Sequence, residues 1–212
     1  MSTPKAVRAD TRFRRLREKG SKDFDLACAI IDAAFVCHVG FVADGLPYVI
    51  PMALARDGKS LLLHGSVASR LMKNLASGLP SCVTVTHLDG LVLARSAFNS
   101  SMNYRSVMVF GNATPVTDPD EKRRGLELLT DHLLPGRRSD IRESTRKELN
   151  ATTLLALPIE RFSAKVSDGP PEDPAKDRNT PVWAGVVPLT LERGKPESAP
   201  DMPDGIPLPD YL

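Results

Sequence analysis

Three of the five Asp-Gly pairs, at 44–45, 57–58 and 89–90, cut the chain into short apolar, β-branched runs. Asp-Gly supplies two residues that tolerate positive φ, the requirement of a tight two-residue hairpin. The runs flanking these pairs, 35–43, 48–55, 60–64, 81–88 and 91–98, therefore read as strands. Further runs at 104–116 and 153–166 read as longer strands, the second bent at Pro158, and 183–189 as a short apolar return. Six or seven strands at this spacing, with two to four flanking helices, predict a mainly β (α+β) domain. Its antiparallel sheet is expected to close, or nearly close, into a small barrel.

The helices carry their own punctuation. Asp23 caps a segment over 23–34 whose Phe24, Ala27, Cys28, Ile31 and Ala34 share one face. Ser66 and Gly78 bracket a helix over 67–76 with Leu71, Met72 and Leu75 on its apolar side. Asp118, Pro119 and Glu121 open a third helix lined by Leu126, Leu129 and Leu133 and stopped by Pro135-Gly136. A polar helix is expected over 142–151. Outside this body, residues 1–22 form a basic arm and residues 191–212 a Pro-rich, irregular or disordered tail, leaving 23–190 as the domain.

Composition narrows the function classes. A net charge of +2 gives no overall pull toward nucleic acid, and the arm lacks the aromatic interleaving that stacks bases. It reads as an extended segment lying over the domain or a partner subunit. No apolar run approaches the ~20 residues of a membrane span, and the first residues lack a secretory core, so a cytoplasmic protein is expected. Cys28, Cys37 and Cys82 are odd in number and widely spaced, which suits reduced, buried thiols rather than a disulfide framework or a metal site.

The best chemical candidate lies where a strand, a turn and a helix meet, Leu63-His64-Gly65-Ser66-Val67-Ala68-Ser69-Arg70. Free backbone N–H groups, the hydroxyls of Ser66 and Ser69, and the charges of Arg70 and Lys73 suit a phosphate there. The same residues also describe an ordinary capped helix with exposed cations. Asn103-Tyr104-Arg105-Ser106, opening a long strand, is the second candidate. No G-x-S-x-G elbow, HExxH, Walker A or GxGxxG pattern is present. His38 and His87 sit inside apolar strand patterns, and His132 falls on an exposed helix position. His64 differs in preceding the phosphate-like turn.

Several ordered motifs carry a family likeness. They are Cys37-His38-Val39-Gly40-Phe41, the run from Asp44-Gly45 through Tyr48-Val49-Ile50-Pro51, His64-Gly65-Ser66 through Ser69-Arg70, Asp89-Gly90 through Phe98, Asn103-Tyr104-Arg105-Ser106-Val107, and Pro181-Val182-Trp183-Ala184-Gly185. Across 8–189 the chain resembles the pyridoxamine-5′-phosphate-oxidase-related FMN-binding split barrels, in particular the flavin-nucleotide-binding, nitroimidazole-resistance-like branch. The resemblance implies FMN at the interface of a homodimer. It implies Val49, Ile50, Pro51 and Met52 along the isoalloxazine edge, and His64 and Gly65 beside it. Ser69, Arg70 and Lys73, with Ser66 at the turn, match the phosphate clamp. Arg105 and Ser106 match polar contacts near the flavin, and Trp183 a late aromatic lying against it.

The Arg-Leu-Ser-Pro-like ending of the pyridoxal-phosphate-forming oxidases is missing. Trp183 is followed by Ala184-Gly185, and the nearest downstream arginine is Arg193. The vitamin B6 reaction is therefore not expected. What the resemblance implies instead is a flavin-dependent oxidoreductase that takes hydride from NAD(P)H and passes it to a small electron-poor or heterocyclic substrate. Two alternatives stay open: a flavin carrier or sensor without turnover, and a haem-binding split barrel with His38, His64 or His87 as axial ligand.

Overall fold

The computed structural model describes residue 11 and residues 17–212. Most of the expected basic arm lies outside the described residues. Its last part lies along the domain, because β1 (Gly20–Ser21) pairs with a late strand and Lys19 Nζ donates to Ser167 Oγ at 2.9 Å.

Helix α1 (Phe24–Asp32) starts where Asp23 accepts hydrogen bonds from the Asp25 and Leu26 N–H groups. Next come β2 (Val36–Ala43) and β3 (Leu46–Ala53), joined by Asp44 and Gly45 at φ +52° and +76° as the turn chemistry predicts. In β2 the alternation is plain: Cys37, Val39, Phe41 and Ala43 are buried, while Val36, His38 and Val42 face outward. The expected strand over 48–55 breaks at buried Leu54, and β4 (Ala55–Asp57) turns away to pair with β5 (Ser60–Ser66) instead of β2.

Helix α2 (Arg70–Ala76) is shorter than expected. Its N-cap is Ser69, which accepts from Met72 N–H, and Ser66 remains the last residue of β5.

β6 (Pro80–Leu93) is one strand of 14 residues, where two strands and a hairpin were expected. Asp89-Gly90 forms a bulge opposite Tyr104 and Asn103 of β7 (Ser101–Asn112). The pair does not turn because β7 and β11 (Gly185–Pro188) hold β6 extended on both sides at this point, Gly90 facing Pro188. A short β8 (Thr114–Pro115) leads to α3 (Pro119–Leu133), capped by Asp118 as expected. The polar helix α4 is confined to Arg146–Ala151, where Thr145 and Glu148 form a capping box.

The expected bend at Pro158 is a full corner: β9 (Thr152–Pro158) and β10 (Arg161–Ser167) belong to different sheets. One sheet runs β1-β10-β7-β6-β2-β3, with β11 added beside β6, and the other runs β4-β5-β9-β8, every pairing antiparallel. The corners at Leu54 and Ile159 carry the chain between the sheets and split the barrel into its two halves.

Both sheets turn one face to a single core, where Val39, Leu63, Val83, Val109 and Leu157 meet and α1 and α2 add Ile30, Ile31, Met72 and Leu75. A second small core, Ala55, Leu62, Leu129 and Leu154, lies on the opposite face of the four-stranded sheet under α3. The tail forms neither helix nor strand, yet it is anchored: Tyr211 packs on Gly136 and its hydroxyl donates to Asp140. Among the described residues no helix is long and apolar enough to cross a membrane.

Candidate functional site

The turn between β5 and α2 is built by local hydrogen bonds. Ser66 Oγ accepts from Ala68 N–H at 3.2 Å, and the Ser69 N–H donates to the Ser66 carbonyl at 2.9 Å. Gly65 is required here because a Cβ would lie 2.8 Å from Met72 Cγ, in the buried face that holds α2 down. Arg70 and Lys73 stand three residues apart on the exposed side of α2, and neither has an ion-pair partner among the described residues.

Arg70 reaches the neighbouring strand. Its guanidinium lies 4.6 Å from the centre of the Tyr48 ring, which in turn stacks on Phe41 at 5.3 Å. This fixes α2 beside β3, the edge strand of the larger sheet. Along β3, Ile50 and Met52 pack toward the core, while Val49, 67% exposed, and Pro51 face outward. Val49–Met52, Ser66, Ser69, Arg70 and Lys73 thus lie along one side of the barrel: an open strand edge beside two uncompensated cations. A phosphate fits the cations, and a flat heterocycle fits the strand edge.

The other expected residues lie elsewhere in the single chain. Arg105 is engaged by Asp89, donating Nε and Nη2 at 2.9 and 2.8 Å, which holds the Asp89 carboxyl below its ordinary range. Ser106 opposes Thr86 on the outer face of the large sheet. Strand spacing of ~4.8 Å places β7 about 14 Å from β3. Trp183, 65% exposed, lies over Gly185, where a Cβ would meet the ring at 2.8 Å.

His64 also parts from Gly65. Along β5, Leu61 and Leu63 enter the main core while Leu62 and His64 face α3. There His64 lines a cavity of about 290 Å³ with Leu126, Leu129, Leu133, Ile141 and Arg123. Its Nδ1 is buried without a hydrogen-bond partner, and burial holds the imidazole below its ordinary pKa. The other histidines are differently placed. His87 Nε2 donates to the Ile30 carbonyl at 2.9 Å, and His38 is exposed on the outer sheet face. His132, expected exposed, is half-buried and donates to the Ala34 carbonyl at 2.6 Å.

The lining contributed by α3 and the following loop went unread in the sequence. The signal was there, in a Leu126, Leu129, Leu133 stripe followed by Arg138 and Arg142. The cysteines are free, and burial pushes the Cys37 thiol up to about 12, so it is unreactive. No cluster of three or more potential metal ligands occurs among the described residues.

The Pyridoxamine 5′-phosphate oxidase family model matches residues 23–166. No curated protein matches the chain. Among solved structures, an FAD- and haem-binding protein of Mycobacterium smegmatis is 44% identical. The match covers 91% of this chain and 95% of that one, with a TM-score of 0.88. The flavocytochrome Anf3 of Azotobacter vinelandii is 38% identical over 96% of this chain and 95% of that one, with a TM-score of 0.90. A proposed 5-nitroimidazole antibiotic resistance protein of Bacteroides thetaiotaomicron, 24% identical, shares the fold at a TM-score of 0.59 over 69% of this chain and 86% of that one. With a family match over more than half its length and the barrel split at Leu54 and Ile159, the chain belongs to the pyridoxamine 5′-phosphate oxidase family.

Proposed function

We propose that the chain is a flavin-binding redox protein that works as a homodimer. The observation that carries this is a pair of cations, Arg70 and Lys73, without ion-pair partners among the described residues, set beside Ser69 and the open edge of β3. When bound there, a flavin supplies hydride and electron transfer, and the protein supplies binding and orientation. Arg70 and Lys73 hold the phosphate, and Ser69 can donate its hydroxyl while still capping α2. Val49–Met52 flank the ring system.

The 44% identical relative, which covers nearly the whole chain, favours FAD over FMN as the form bound. NAD(P)H is the proposed hydride donor and a small electron-poor or heterocyclic compound the proposed acceptor. The second copy would sit on the outer face of the large sheet. It would bring its Ser106 and Trp183 toward the β3 edge, which one chain by itself does not do, whereas Arg105 shares the opposite face with Val107.

A second reading adds haem to the flavin. It is favoured by two relatives that match over nine-tenths of this chain, one described as binding FAD and haem and the other as a flavocytochrome. On this reading the protein passes electrons between two bound groups, with no side chain required as acid or base.

The deciding measurement is an absorbance spectrum of the purified protein with mass identification of the released ligand. A flavin spectrum is expected. The double variant Arg70→Ala/Lys73→Ala should bind flavin at least ~10-fold more weakly, since each charged hydrogen bond contributes about 1.5–3 kcal/mol. A wild-type protein that neither carries flavin nor takes it up would overturn the proposal.

A further inference from the structure

Besides His64 Nδ1, one buried side-chain nitrogen has no hydrogen-bond partner among the described residues, the Nε of Arg95. Arg95 lies in the turn 94–100 that joins β6 to β7. That turn is closed on itself: the Ser100 hydroxyl donates to the Ser96 carbonyl at 2.9 Å and accepts from the Ala94 N–H at 3.1 Å. Asp173, whose side chain is 2% exposed, fastens it from the loop after β10. Its carboxylate accepts from the Arg95 N–H at 2.9 Å and from Nη1 at 2.8 Å.

The two edges of a guanidinium differ. Nε and Nη2 point the same way and grip both oxygens of one anion, as Arg105 does with Asp89 and Arg56 with Asp32. Asp173 takes only Nη1 of Arg95, so the fork edge stays available to a second oxyanion. A buried N–H left unpaired is a cost to the fold, and an oxyanion on that edge removes it.

The surroundings fit such a ligand. Arg95 lines an open pocket of about 690 Å³ with Arg178, Pro171, Glu172, Asp173 and Pro174. Arg178 is steered by its Nε, which donates to the Asp173 carbonyl at 3.4 Å, and has no ion-pair partner among the described residues. Asp173 offsets one guanidinium and leaves the other positive, with only the exposed Glu172 set against it in the lining. Two guanidiniums suit phosphate oxygens better than a lone carboxylate. The volume lies within the roughly 300–1,000 Å³ of small-molecule pockets, more than inorganic phosphate needs, and Pro171 and Pro174 offer apolar surface to the rest of a nucleotide. Leu93, two residues before Arg95, pairs with Gly185, over which Trp183 lies, so the pocket and that indole stand at the same end of β6.

We propose that this pocket binds the diphosphate of a nucleotide, Arg95 gripping it through Nε and Nη2 and Arg178 supplying the second charge. A dinucleotide hydride donor and FAD both carry that group. Assigning it to the donor rests on the NAD(P)H reading above; the pocket itself rests on Arg95 and Arg178. In the proposed homodimer the same end of β6 carries Trp183 toward the β3 edge of the second copy, so a donor held there has its nicotinamide directed to the flavin.

The test is calorimetric titration of the FMN-loaded full-length protein with ADP, the bound flavin keeping Arg70 and Lys73 occupied. Wild type should bind one equivalent per chain, and adenosine should not bind. Arg178→Ala, which leaves the Arg95–Asp173 pair in place, should weaken ADP binding at least ~10-fold. Arg95→Lys keeps a charge beside Asp173 but loses the fork, and should weaken it similarly with an unchanged far-ultraviolet circular dichroism spectrum. Glu172→Gln should tighten it. Binding of ADP to both FMN-loaded and FAD-loaded protein would assign the pocket to the donor, and binding to the FMN-loaded form alone would assign it to the diphosphate of FAD. A wild type that ignores ADP, or an Arg178→Ala protein of wild-type affinity, would overturn the site. If the protein takes up no flavin, the titration is made on Arg70→Ala/Lys73→Ala. ADP binding there that is lost on adding Arg178→Ala would sustain the pocket while the flavin proposal falls.

Discussion

At the scale of single residues, position 125 shows how tightly the wall of the cavity beside His64 is set. Gly125 of α3 packs on the four-stranded sheet, and a Cβ there would lie 2.5 Å from Leu154 Cδ2 and 3.4 Å from Leu62 Cδ1. Glycine inside a helix is ordinarily a cost of about 1 kcal/mol relative to alanine, so close approach is the reason it stands there. Gly125→Ala is therefore expected to destabilise the fold by roughly 1–3 kcal/mol in chemical denaturation rather than to gain helix propensity. A variant as stable as wild type would show that α3 is free to shift outward. The cations of α2 were legible from residue types and spacing. The direction in which His64 faces was not, because a strand residue's face depends on which sheet its strand joins.

Among the elements, α4 is the most dependent on charge. Glu148 closes its capping box with Thr145 and accepts two bonds from Arg142, which also lines the cavity beside His64. The Arg142 guanidinium and the Thr145 backbone together hold the Glu148 carboxyl at about 2 instead of its ordinary 4.5. A carboxyl depressed in the folded state contributes stability above its unfolded value and loses it as pH falls toward the folded one. The amide shifts of α4 should accordingly titrate near pH 2, and Thr145→Ala should move the midpoint upward. A wild-type midpoint at the ordinary carboxylate value would refute the box. The cap motif was readable in Thr145-Arg146-Lys147-Glu148, but a boundary placed at 142 overran it. The β6 hairpin failed for a related reason. Asp-Gly favours a turn locally, and pairing on both edges with β7 and β11 overrides it.

Across the whole molecule, the outer face of the large sheet is where the proposed second copy would sit. Val36, Val42, Val49, Leu88 and Met108 are all exposed there, spread over the same face of β2, β3, β6 and β7. Exposed apolar groups gathered this way mark an interaction surface. The protein is expected to sediment as a dimer, and Val42→Lys, which plants a charge in that face, should shift it to monomer. A wild type that is monomeric at micromolar concentration would sink the dimer proposal, and with it the route by which Trp183 reaches the flavin edge.

What the sequence determined by itself is what short-range physics decides. Alternating burial set the strands, Asp23 and Asp118 set helix starts, and Asp44-Gly45 set a hairpin, because each depends on residues a few positions apart. The motif order across 8–189 likewise carried the family. Only the tertiary structure decided what depends on sheet membership. It showed that the chain changes sheet at Leu54 and Ile159, that Ser69 rather than Ser66 caps α2, and that His64 turns from Gly65 toward α3. Successive strand residues point to opposite faces, so the side on which a functional group emerges is settled by the packing of both sheets and not by its neighbours in the chain.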